Sequence, residues 1–229
     1  MLIIQEICKM INSNGSNLFN LNNLCELSNK HLTTMLILGS QSPRRKELLA
    51  GLDIPFQTVS IDCDERFPEH LQAGDIPLYL AKLKASAYGK PQPGDILITA
   101  DTIVWLNSRM LGKPHDDNQA RQMLHALSGQ THQVFTGVAL TSADKQIAFV
   151  ASTDVTFRCL TDEEINYYVE KYKPLDKAGA YGIQEWIGYI GITSINGSYF
   201  NVMGLPVQRL ADALYNHFFT SSSKALKEK

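Results

Sequence analysis

The stretch Leu36-Ile37-Leu38-Gly39-Ser40-Gln41-Ser42-Pro43-Arg44-Arg45-Lys46-Glu47-Leu48-Leu49 decides how this chain folds. Leu36 to Leu38 is a short, wholly apolar run, the pattern of a strand buried on both faces. A helix comes at once after it. Ser42 supplies an N-cap oxygen, Pro43 stands where a missing N–H costs nothing, and helix formers continue to a stop at Gly51. A strand running into a helix N-terminus presents unpaired backbone N–H groups to solvent. Here the hydroxyls of Ser40 and Ser42 and the guanidinium groups of Arg44 and Arg45 join them, which is the chemistry of a polyphosphate cradle. Taken alone, the same residues read equally well as a solvated helix start.

The whole chain has 229 residues, 44% of them hydrophobic, enough for a real core in one or two domains. Its formal charge of −2, from 21 basic and 23 acidic residues, argues against a nucleic-acid backbone or an anionic membrane as partner. Any basic site is therefore local. Cys8, Cys25, Cys63 and Cys159 lie far apart, with no C-x-x-C pair and no His at zinc-ligand spacing, so neither a disulfide framework nor a structural metal is expected. No apolar run approaches the roughly 18 residues of a membrane helix, and the start lacks the pattern of a signal peptide. The expected compartment is the cytoplasm. Residues 1–34 are Asn-rich and differ in character from the rest of the chain, and Met35 directly precedes the first buried run. The division expected is an upstream extension over 1–34, whether an over-call or a loose segment, a single catalytic domain over 35–218 and a frayed tail over 219–229.

Further along, Phe56 to Ile61 reads as a second strand, ending in the acidic turn Asp62-Cys63-Asp64-Glu65. A Pro77 start opens a helix over 78–88, with Leu80, Leu83 and Ala87 near one face and Lys84 beside it. Ile96 to Ala100 is a buried-type strand that delivers Asp101-Thr102 before Ile103 to Leu106 continues the extended run, and a carboxylate just past the end of a buried strand stands where open α/β sheets bind ligands; by position alone a turn or cap residue is as good a reading of Asp101. A loop at Leu111 to Pro114, carrying Lys113, leads to a helix capped by Asp116 or Asp117 and ending at Ser128-Gly129. Gln133 to Leu140 and Gln146 to Arg158 read as β-structure around a turn at Ser142 to Lys145, and Thr161 with Glu164 as a capping box for a helix closed by Pro174. Residues 176–206 are Gly-rich, aromatic and too irregular for simple elements, a composition that points to function. Val207, Leu210, Ala211, Leu214 and Phe218 mark a last amphipathic helix.

The candidate chemistry is a set: Arg44 and Arg45, two separated carboxylates in Glu65 and Asp101, Lys84 and Lys113, and the amide of Gln184. A nucleoside triphosphate hydrolase uses all of these kinds of group. Cations and N–H groups hold phosphates, carboxylates bind Mg²⁺ and activate water, and a planar amide reads a base edge. Singly, Glu65 reads better as a solvated turn, Lys84 as a surface helix charge and Lys113 as a loop lysine.

The motifs weigh the set differently. Ser40-x-Ser42-Pro43-Arg44-Arg45, Asp101-Thr102, Gly112-Lys113-Pro114, Asp176-Lys177-Ala178-Gly179-x-Tyr181, and Gly197-Ser198-Tyr199 through Asn201 to Gly204-Leu205-Pro206 occur in order. Over about Leu36 to Leu214 the chain resembles the Maf family of nucleoside triphosphate pyrophosphatases. The resemblance implies an α/β fold with an elongated mixed β-sheet, flanking helices and two lobes around a deep nucleotide-binding cleft. It also implies cleavage between the α- and β-phosphates, a divalent metal (Mg²⁺ or Mn²⁺) and a homodimer. By resemblance Asp101 is the general base and a metal ligand, and Glu65 holds the metal, with Asp62 and Asp64 in the same turn able to share it. Ser40, Arg45, Lys84 and Lys113 resemble the groups that grip the triphosphate.

Three positions bear on the base. Arg44 after Pro43, Thr102 after Asp101, and Gln184 resemble the dTTP/UTP branch. The branch acting on 7-methylguanosine triphosphate has an aromatic, a Gln and a Glu there. An amide offers both donor and acceptor to the uracil or thymine edge, whereas a carboxylate only accepts. Glu185-Trp186 stand where family members often carry a second Gly. The expected activity is hydrolysis of dTTP, UTP and modified pyrimidine nucleotides. The alternatives are the 7-methyl-GTP activity and a nucleotide-sensing inhibitor of septum formation with little turnover.

Overall fold

The computed structural model describes residues 35–219. The Asn-rich extension and the tail beyond Phe219 lie outside the described residues. In chain order the elements are β1 (Leu36–Gly39), α1 (Pro43–Ala50), β2 (Phe56–Val59), α2 (Asp75–Tyr88), β3 (Ile96–Leu106), β4 (Arg109–Leu111), α3 (Asp117–Leu127), β5 (Thr131–Thr141) and β6 (Gln146–Phe157). Next come α4 (Asp162–Tyr172), a 3₁₀ turn at Ala178–Ala180, α5 (Trp186–Gly191), β7 (Ile192–Asn196), α6 (Tyr199–Met203), α7 (Val207–Leu214) and a π turn at Tyr215–Phe219.

The strands form one 7-stranded mixed sheet in the order β2-β1-β3-β5-β6-β7, with β4 on β3. β1 pairs in parallel with β2 and β3, and β3, β5, β6 and β7 pair antiparallel. β3 thus belongs to both halves. One of its edges is filled by β5 from Leu97 to Trp105. The other pairs with β1 at Ile96 to Ile98 and with the hairpin strand β4 at Val104 to Leu106, so residues 99–103 have no strand partner there. This opening in the middle of the sheet edge is where the cleft enters.

The local signals act as expected at several ends. The Ser42 side chain accepts from Arg45 N, Asp116 accepts from Gln119 N, and Thr161 with Glu164 closes a reciprocal capping box. Arg158 adds to the last of these with paired contacts of 2.7 and 3.0 Å to the Glu164 carboxylate, holding it below its ordinary pKa.

Four expectations are corrected. α2 begins at Asp75, with Pro77 inside its first turn, where an N–H has no helical acceptor in any case. It buries Ile76, Leu80, Ala81 and Ala85, while Ala87 is exposed. Asp101 is not past a strand end: β3 runs on through it, and what ends beside it is β1. Leu111 belongs to β4, brought back by Asn107 and Ser108 at positive φ of 49° and 61°, the backbone that tight hairpins require. The stretch 176–206 holds three regular elements, α5, β7 and α6, because pairing with β6 makes a strand of residues that lack a strand's alternation.

Packing sets the distance of α2 from the sheet at Gly137, the β5 residue opposite Asp101. A Cβ there would lie 2.3 Å from the Pro77 carbonyl carbon and 2.4 Å from Leu78 N. Only glycine lets the helix come this close. One large core, including Leu38, Ile98, Val138, Tyr168 and Leu210, fills the face away from α2, and smaller clusters around Leu97 and Ile103 fill the α2 face.

Candidate active site

Alternation along β3 sends its polar residues to both faces of the sheet at the open edge. Asp101, with Thr99 and Ile103, faces α2, where Thr99 Oγ1 donates 2.7 Å to Ala81 O. Thr102 faces the other side. One cleft of about 690 Å³ reaches round the edge to both, and its wall includes Ser40, Arg44, Arg45, Glu65, Lys84, Asp101, Thr102, Lys113 and Gln184. These nine residues therefore line the same cavity, whereas Asp62 and Asp64, named with Glu65 as able to share a metal, are not part of its wall, and Asp64 pairs with Arg66 instead.

On the α2 face, Lys84 Nζ stands 2.7 Å from Asp101 Oδ1 and 3.1 Å from Glu65 Oε1. The Lys84 and Asp101 side chains are only 11% and 14% exposed, so their attraction is little screened; Glu65 is 53% exposed and open to an incoming ligand. Asp101 Oδ2 carries no hydrogen bond among the described residues and is available to a water. A hard cation such as Mg²⁺ is held by one or two carboxylates plus phosphate oxygens and water. Glu65 and Asp101 fit that donor set. Among the described residues no group of three His, Cys, Asp or Glu is placed to hold an ion.

On the opposite face, Arg45 Nε donates 2.8 Å to Gly204 O and its Nη2 3.1 Å to Thr102 Oγ1. Burial draws the Arg45 guanidinium pKa down, and the charges of Asp101 and Glu65 partly offset this. A cation so placed is stabilised by an arriving anion. Thr102 Oγ1 lies 3.0 Å from Thr136 Oγ1, which donates 3.0 Å to Asn201 O. Asn201 Nδ2 in turn donates to Val134 O and Thr153 Oγ1, both at 3.0 Å. Asn201 stands in one of the quoted motifs without a role given to it, and Thr136 is a support that the sequence did not single out, although a threonine at a core position of an apolar strand is a signal. At the mouth, Arg44 Nη1 meets Asp176 Oδ2 at 3.0 Å. Burial alone would raise the Asp176 pKa, but Lys177 and Arg44 outweigh it and lower it. Ser40 Oγ accepts from Ser42 N at 3.2 Å, and Lys113 is exposed without an ion pair among the described residues. Gln184 Oε1 is buried and, like His132 Nδ1 and Asn201 Oδ1, has no hydrogen-bond partner among the described residues; of these three residues only Gln184 is part of the cleft wall.

The description "Maf-like protein" belongs to the family that matches residues 35–217. The chain belongs to this family. Among Maf-like relatives, a protein of Phocaeicola vulgatus named dTTP/UTP pyrophosphatase is 59% identical over 177 residues, 76% of this chain and 92% of that one. One of the same name from Parabacteroides distasonis is 55% identical over 186 residues, 80% of this chain and 95% of that one. A Ham1 protein structure from Coxiella burnetii aligns with a TM-score of 0.37 at 18% identity, over 54% of this chain and 73% of that one. No helix among the described residues is long and apolar enough to cross a membrane.

Proposed function

We propose that this Maf-like chain hydrolyses dTTP and UTP, and modified pyrimidine nucleotides, between the α- and β-phosphates to give the monophosphate and pyrophosphate. The observation that carries this reading is one cleft that holds a Lys84-bridged carboxylate pair together with Gln184 Oε1, buried and unpartnered among the described residues. The names of the relatives support it.

In this reading Asp101 accepts a proton from the attacking water on Oδ2, while Lys84 on Oδ1 fixes the carboxylate's orientation. Ser40, Arg45 and Lys113 hold the phosphate oxygens, with Arg45 aimed by Gly204 and Thr102. Glu65 and Asp101 would hold a Mg²⁺ or Mn²⁺ ion, whose charge when bound offsets that of the phosphates in the transition state. The Gln184 amide accepts from a pyrimidine N3–H and donates to a ring carbonyl. Arg44 and Thr102 act as selectivity positions through their fixed partners Asp176 and Arg45. A cytoplasmic location, and assembly as a homodimer, read by sedimentation, belong to the same proposal.

The test is pyrophosphate release against dTTP, UTP, CTP, GTP, ATP and 7-methyl-GTP with Mg²⁺ or Mn²⁺. Turnover of dTTP and UTP that falls by about a thousandfold in Asp101→Asn is expected. Turnover confined to 7-methyl-GTP would discard the role given to Gln184, and absence of any turnover would favour a sensor of nucleotides.

A further inference from the structure

The cleft wall includes Gly182, Ile183 and Gln184 but not Glu185, which stands behind it. The Glu185 side chain is 20% exposed, with Oε1 3.1 Å from Lys177 Nζ and Oε2 accepting from the Tyr168 hydroxyl. That hydroxyl accepts from Gly182 N at 3.0 Å, and Glu185 N donates to Gly182 O at 3.0 Å. The carboxyl also presses on Gly182, where an added Cβ would lie 2.8 Å from Glu185 Cδ. Lys177, 9% exposed at its side chain, contacts Asp176 at 2.7 Å, and Asp176 contacts Arg44 at 3.0 Å. An unbroken polar chain thus runs from the start of α1 through Asp176, Lys177, Glu185 and Tyr168 to the loop that presents Gln184. Buried ion pairs are poor sources of stability, and apolar side chains of similar volume often serve a core as well. Holding a geometry is a better account of this one.

We infer that Glu185 is a positioning residue for base recognition: its carboxylate, shared between Tyr168 and Lys177, holds Gly182 to Gln184 so that the Gln184 amide meets a pyrimidine edge in fixed register. The inference rests on the proposed function. It also accounts for a carboxylate at this position, since a carboxylate accepts at both oxygens whereas an amide can satisfy only one of the two donors.

The test uses the full chain, Glu185→Gln and Tyr168→Phe, with steady-state kinetics on dTTP, UTP and CTP and inhibition by inorganic tripolyphosphate, which has no base. Both variants keep the volume of the residue they replace. Each is expected to raise KM for dTTP and UTP about tenfold, to keep kcat within about twofold, and to reduce the preference for UTP over CTP. Tripolyphosphate inhibition stays unchanged. If kcat and tripolyphosphate inhibition fall together with the affinity for dTTP, the residue is merely structural and the inference is overturned. Unchanged kinetics in both variants, with the unaltered chain active on dTTP, overturns it as well and leaves the proposed function standing. An unaltered chain inactive on dTTP and UTP removes both.

Discussion

His132 is an ionisable residue buried behind the cleft, 1% exposed on β5. Its Nε2 lies 2.7 Å from the hydroxyl of Tyr181, a cleft residue, and its ring stacks on Phe157 at 5.8 Å. Burial pushes its pKa down to about 4 from the ordinary 6.5, against a smaller pull from Asp154. Between these values the unfolded chain binds a proton that the folded chain refuses. Stability contributed by neutral burial is therefore complete above about pH 6.5 and is lost as pH falls toward 4, about 3 kcal/mol in all. Urea unfolding of the natural chain and of His132→Gln across pH 4 to 7 checks this. The difference in stability between the two should fall with pH by roughly that amount, and a difference that stays flat would rule out His132 as the titrating group.

Among the elements, the site depends on how closely α2 lies on β5. Lys84 is carried by α2 and Asp101 by β3, and Gly137 on β5 is both the register partner of Asp101 and the surface on which Pro77 rests. Gly137→Ala forces the helix outward, with an expected loss of about 2 kcal/mol of stability. Because displacements near 1 Å at reacting groups are costly, kcat/KM should fall by about a hundredfold. Urea unfolding and dTTP turnover measure the two effects. Normal values of both would mean that this contact does not set the Lys84 to Asp101 distance.

Across the described residues as a whole, the mixed sheet combines parallel and antiparallel pairing on one strand, β3. A short β1 and a hairpin strand β4 share one edge of the long β3 and leave residues 99–103 open between them. A ligand can then contact residues of both faces at one point of the chain. All of this lies within 35–219, and the family match covers 35–217. A chain beginning at Met35 is accordingly expected to match the full chain in dTTP turnover and in urea midpoint. A large loss in either would give residues 1–34 a part in the catalytic unit.

Local punctuation, and which residues to look for in a candidate site, were legible in the amino-acid order. Ser42, Asp116 and Thr161 with Glu164 cap their helices because caps need only neighbouring backbone, and the β5–β6 pair arises from a short turn between two extended runs. Residue chemistry together with the family resemblance was enough to bring Ser40, Arg44, Arg45, Glu65, Lys84, Asp101, Thr102, Lys113 and Gln184 to notice, and all of them line one cleft. Long-range pairing decided the rest. That Asp101 lies in mid-strand beside the end of β1, that β7 is a strand at all, and that Glu185 meets Tyr168 and Lys177 are facts about partners distant along the chain, which local propensity does not encode.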